Sequence, residues 1–109
     1  MATTYKVLGQ LNPSATTQTT LYTVPSSTAA IVSTLTVCNQ AANAGTYRIA
    51  IRPAGATLEA KHYIAYDVTI PAASSDTITL GITLATTDVV AVYASSASFS
   101  FSAFGTEIS

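Results

Sequence analysis

Few side chains in this sequence have the chemistry for catalysis. Cys38, the single cysteine, and His62, the single histidine, are the first pair to weigh. A thiolate nucleophile needs a base within reach and a lowered pKa. His62 lies some two strands further along the chain, so a fold could juxtapose the two. No Asn or Asp in a local motif supplies the third, orienting group. Free cysteine usually behaves as a small buried hydrophobe, and Cys38 is read that way.

Glu59 and His62, in Glu59-Ala-Lys-His62, offer two potential metal ligands. Zincin chemistry needs two histidines one helical turn apart with a glutamate between them. One histidine without other strong ligands does not make a zinc site. The segment is read as an exposed loop entering a strand. Asp67, Asp76 and Asp88 could act as a glycosidase acid and base or bind calcium. No D-x-D-x-D-G spacing occurs, and Ser75-Asp76-Thr77 and Thr87-Asp88-Val89 look like turns capped by the aspartate. Gly-rich phosphate loops and a G-x-S-x-G elbow are also missing. The expectation is a non-enzyme with no metal and no cofactor.

Tyrosines are the remaining candidates. Exposed rings stack on sugars or anchor interfaces, and Tyr63, Tyr66 and Tyr93 are the ones to follow. On a regular strand Tyr63 and Tyr66 would face opposite ways, being an odd number apart. Phe99, Phe101 and Phe104 are assigned to the core or a subunit interface.

The elements that position these residues are strands. No window carries a helical stripe, and Thr, Val, Ile and Tyr dominate the patterned runs. Turn signals recur every eight to twelve residues or so, the rhythm of a sandwich or barrel. The expected strands are Tyr5–Leu11, Thr19–Val24, Ala29–Asn39, Thr46–Arg52, His62–Ile70, Thr77–Leu80 running on toward Leu84, Val89–Ala94 and Ser98–Phe104. In the third, Ile31, Leu35 and Val37 share one face; Ala30, Val32, Thr34, Thr36 and Cys38 share the other. Ala54–Lys61 is a loop or at most one helical turn. The expected fold is all-β: one antiparallel sandwich domain of about eight strands over residues 1–109, of jelly-roll type, with a closed barrel as the alternative. Residues 1–4 are expected as an arm, flexible or ordered by assembly.

Composition bounds the partners. Charged residues make up 8% of the 109-residue chain, against about 25% in ordinary domains. Lys6, Arg48, Arg52 and Lys61 form no cluster, and nucleic-acid binding needs one. A basic amphipathic helix for a membrane surface is absent, as is an apolar leader at the N-terminus. Solubility normally rests on interspersed charge, so a chain this poor in it suits an assembly that covers much of its surface.

The ordered string Tyr22-Thr-Val-Pro, Cys38-Asn, Tyr47-Arg-Ile-Ala, Arg52-Pro-Ala-Gly, Tyr66-Asp and Thr87-Asp-Val-Val-Ala-Val-Tyr-Ala resembles a group of small virion proteins of tailed bacteriophages, frequent in phages of cyanobacteria and other aquatic bacteria. The likeness runs from about Thr20 to Ile108. It implies a structural component of the virion, assembled in the host cytoplasm. The first expectation is a capsid decoration (cement) subunit bound to the major capsid protein, with a homotrimer as the implied assembly. A tail, baseplate or fibre component touching the host is the alternative. Contact segments are expected at Ala2–Lys6, Ala54–His62 and Phe104–Ser109, with Tyr5, Lys6, Leu58, Glu59, His62, Tyr63, Tyr66, Phe104 and Ile108 as interface residues. A carbohydrate-binding module, using Tyr63, Tyr66 and Tyr93 on a glycan, is a separate alternative. A shallow row of coplanar rings would favour it.

Overall fold

The computed structural model describes residues 2–109. Its strands are β1 (Thr3–Leu11), β2 (Thr19–Thr23), β3 (Ala29–Asn39), β4 (Gly45–Arg52), β5 (Tyr63–Ile70), β6 (Ser74–Ile78), β7 (Ile82–Leu84), β8 (Val89–Ala94) and β9 (Phe99–Ile108). β-Branched and aromatic side chains fill these runs because they pack well on a pleated surface. The β4–β5 connection holds two short 3₁₀ turns, Pro53–Gly55 and Ala60–His62.

All pairings are antiparallel. The first sheet has the order β1-β9-β3-β6, with β7 also on β3; the second has the order β2-β8-β4-β5. This is the strand order of a jelly roll, two facing sheets wound as Greek keys. The expected sandwich is therefore the observed fold, and it is not a closed barrel. It has nine strands rather than eight because the run toward Leu84 breaks at Gly81, where φ is +63°, a left-handed conformation that glycine adopts without a Cβ penalty.

Both chain ends depart from expectation. Thr3 and Thr4 belong to β1, paired with Ile108 and Glu107, and the Ala2 and Ser109 backbones exchange hydrogen bonds of 2.6 and 2.9 Å. The segment expected as an arm is thus a strand from Thr3 onward, while Met1 lies outside the described residues. β9 continues four residues beyond Phe104 for the same reason, pairing with β1 and β3 up to Ile108.

The core lies between the sheets. Phe99, Phe101, Leu35 and Val37 of the first meet Tyr47, Ile49, Val90 and Val92 of the second, all buried. Tyr47 and Phe101 pack edge to face, with centroids 6.3 Å apart and planes at 73°. Each such side chain contributes roughly 1.5–3 kcal/mol by leaving water.

β3 does not keep one alternation along its length. Its register against β9 slips between Val32 and Thr34. The extra residue, Ser33, is exposed and donates its hydroxyl to the Phe104 carbonyl at 3.1 Å. A one-residue bulge reverses which side chains face inward. The inward set is Ala30 and Val32, then Leu35, Val37 and Asn39. Ile31, expected to share the face of Leu35 and Val37, points to solvent at 37% exposure.

Two phenols close the ends of the core. Tyr22 donates to Glu107 at 2.6 Å, and Glu107 also meets Lys6 at 3.3 Å. Tyr47 donates to Asp76 at 3.1 Å. Burial, then the hydrogen bond to a carboxylate, raises both phenol pKa values, that of Tyr47 to about 12. Glu107 is held low, chiefly by the Tyr22 hydroxyl and then by Lys6. An unfolded chain releases tyrosine protons near pH ~10. The folded chain keeps these two longer, so their stabilisation is complete below pH ~10 and is lost as pH rises through the folded values. We expect urea stability to fall above pH ~10 by up to about 1.4 kcal/mol per pH unit for each phenol. Tyr47→Phe should remove about half of that slope; an unchanged slope would contradict the assignment.

Candidate functional site

Strand pairing places the side chains of the first sheet's outer face in rows. Across the strands these read Thr3–Ile108–Ala29, Tyr5–Thr106–Ile31–Thr83, Val7–Phe104–Thr34, Gln10–Ser102–Thr36–Thr77 and Ser100–Cys38–Ser75. None of these residues is charged, and none is buried. The charged side chains of these strands, Lys6, Asp76 and Glu107, pair with the inward rows instead, alongside Gly105, Val37 and Ala30. One end of the face is apolar, with Tyr5 at 82%, Val7 at 47% and Phe104 at 36% exposure beside Ile31. The other end is a field of serine and threonine hydroxyls. Isolated exposed hydrophobes are ordinary; here four lie together on a face whose rows carry no charge.

The second sheet's outer face is different in kind. Arg48 and Tyr93 are cross-strand partners on β4 and β8, and Tyr63 lies in the neighbouring row opposite Ala50. The Arg48 guanidinium lies over the Tyr66 ring at 4.2 Å and over the Tyr93 ring at 4.3 Å. Its Nε and Nη2 donate to the two Asp67 carboxylate oxygens at 2.6 and 3.3 Å, and Asp67 raises its pKa further. Tyr63 and Tyr66 meet at right angles, with centroids 4.8 Å apart and planes at 81°. They share a face, contrary to strict alternation, because β5 is irregular. Its register against β4 slips twice between Tyr63 and Val68, and Asp67 has φ of +50°, an uncommon backbone for a residue with a side chain. The three rings thus share one face, but they do not form a coplanar row, since Tyr63 and Tyr66 stand at 81°.

Beside this cluster lies an open depression of about 510 Å³ lined by Leu58, Glu59, Ala60, Tyr63 and Tyr66. Four of the expected interface residues, Leu58, Glu59, Tyr63 and Tyr66, are brought together here. Three others, Tyr5, Phe104 and Ile108, lie on the outer face of the first sheet. Lys6 is on the inward side of β1, paired with Glu107. His62 is only 6% exposed, and its Nδ1 accepts the Glu59 backbone N–H at 3.0 Å, so it braces the turn that carries Glu59.

Cys38 is half-buried on the first sheet's outer face, where Val37 and Asn39 take the inward positions. It is therefore not the core residue the sequence suggests. His62 adjoins the second sheet, so the fold does not pair the two. Of the aspartates expected to cap turns, Asp88 does so, accepting from the N–H groups of Ala54 at 2.9 Å and Ala85 at 2.8 Å. Asp67 and Asp76 instead pair with side chains within strands. Among the described residues no group of three His, Cys, Asp or Glu is placed to hold a metal, and no helix is long and apolar enough to cross a membrane.

Sequence reasoning missed Arg48 as a site residue, weighed Asp67 for other roles than its pairing with Arg48, and missed Val7 and Ile31 as surface residues. The available signal was the one arginine flanked by tyrosine in Tyr47-Arg48-Ile49; its partners come from register, which a single sequence does not print. Compared with protein-family models, with curated proteins and with solved structures, the chain gives no match in any of the three.

Proposed function

We propose that this protein is a structural subunit of a tailed-phage virion that works by passive binding, as an exterior decoration of the capsid. The observation that carries the reading is the charge-free outer face of the first sheet. Tyr5, Val7, Ile31 and Phe104 supply apolar contact, and hydroxyls supply hydrogen bonds without the desolvation cost of ions. A stable contact buries about 1,200–2,000 Å² in total. The resemblance in the Tyr22 to Ala94 string supports a virion setting. Jelly rolls serve as viral capsid domains and as lectins, so the fold agrees with the reading and does not select it.

On this reading the rigid sandwich lies with its first sheet against coat subunits, repeated by particle symmetry. A homotrimer would use the same patch in each copy. A density map of purified particles tests the placement. Sandwich copies repeated over the coat lattice are the expected result. Copies confined to the tail would move the subunit there, and particles without any peptide of this chain would overturn the reading.

A further inference from the structure

We propose that the outer face of the second sheet is a saccharide-binding site for neutral hexopyranoses, N-acetylated ones included, with Tyr66 as the stacking platform and Glu59 as a hydrogen-bond acceptor. Tyr66 is 57% exposed, so the core does not account for its position. Arg48 holds its ring from one side, at 4.2 Å from the centroid, and Tyr63 meets it at right angles. A ring held this way loses little freedom when a ligand lands on it.

The depression beside it suits a sugar in size and chemistry. About 510 Å³ falls within the roughly 300–1,000 Å³ of small-molecule sites. A pyranose offers an apolar C–H face and a rim of hydroxyls. Leu58, Ala60 and the tyrosine rings meet the first; the exposed Glu59 carboxylate meets the second. Charge narrows the ligand class. Arg48 is neutralised by Asp67 through both carboxylate oxygens, whereas Glu59 is in neither of the two ion pairs of the described residues. Glu59 is the one charged residue lining the depression, and a carboxylate there favours uncharged sugars over uronic and sialic acids.

The site lies on the opposite sheet from the proposed assembly face, so both can be occupied together. Its test needs only the isolated protein, and its failure would leave the assembly reading standing. Backbone amide shifts would be followed by NMR during titration with glucose, galactose, mannose, N-acetylglucosamine and glucuronate. At least one neutral sugar should move the Leu58–Tyr66 amides saturably with a millimolar dissociation constant, the strength expected of a ligand with about a dozen heavy atoms. Tyr66→Ala should weaken that binding about tenfold, and Tyr66→Phe, which keeps the ring, should retain it. The proposal fails if no neutral sugar produces a saturable shift, if Tyr66→Ala binds like the parent, or if glucuronate binds tightest.

Discussion

Replacing Asn39 with alanine is expected to cost about 3–4 kcal/mol of folding stability. Asn39 is fully buried at the end of β3. Its Nδ2 donates toward the carbonyls of Asn43, Ile70 and Pro71 at 3.0, 3.2 and 3.2 Å. Its Oδ1 accepts the Ala41 N–H at 3.0 Å. One side chain on the first sheet thus satisfies the turn leading to β4 and the end of β5 on the second sheet. Alanine leaves these groups short of partners, and a buried unsatisfied group costs about 1–3 kcal/mol. Small domains are stable by only about 5–15 kcal/mol, so the urea midpoint should fall by roughly 2 M at a typical slope. Asn43→Ala, at an exposed position, should shift it little. A loss below about 1 kcal/mol for Asn39→Ala would show that water replaces the amide without penalty.

Gly105→Ala is expected to cost at least as much. A Cβ built on Gly105 would stand 1.9 Å from the Ile31 carbonyl oxygen, 3.0 Å from its carbon and 3.1 Å from the Val32 Cα. These are backbone atoms of the neighbouring strand, and no rotamer change moves them. β9 would have to withdraw from β3 beside the Ser33 bulge, breaking the ladder that joins the middle of the first sheet. Overpacking of this kind costs about 1–3 kcal/mol when side chains can give way, and more when they cannot. Gly81→Ala separates sterics from conformation: its Cβ meets nothing within 4 Å, although φ is +63°. It should cost about 1 kcal/mol. Equal urea midpoints for the two variants would contradict the close-approach argument.

How far the sequence could be read follows from what each feature depends on. The bounds of β3 and β8 were legible to the residue because each is a run rich in β-branched residues set off by turn residues. β6 and β7 were not separable, since the break between them is only the three residues 79–81 within a threonine- and isoleucine-rich segment. Faces failed wherever parity failed. Ser33 bulges, so Ile31 moved outward; the register of β5 against β4 slips between Tyr63 and Ala65, so Tyr63 and Tyr66 met on one face. Both are one-residue events, and a period of two has no tolerance for them. Glu59, Tyr63 and Tyr66 were found by residue type and position. Arg48 and its pairing with Asp67 were not, because they depend on which strand sits opposite which. The first sheet's charge-free face was foreshadowed by the 8% charged composition, but only the register showed that the few charges lie elsewhere.

The central claim is that this subunit assembles through the outer face of its first sheet. The direct measurement is incorporation of face-specific variants into virions of a phage lacking the native copy, counted by quantitative mass spectrometry of purified particles. Ile31→Asp and Phe104→Asp each place a charge on that face at exposed positions, and thermal melts would establish that both still fold. The account predicts particles nearly free of either aspartate variant and particles carrying Tyr66→Ala, on the opposite sheet, at the native level. Folded Ile31→Asp and Phe104→Asp subunits incorporated as fully as the native chain would contradict it.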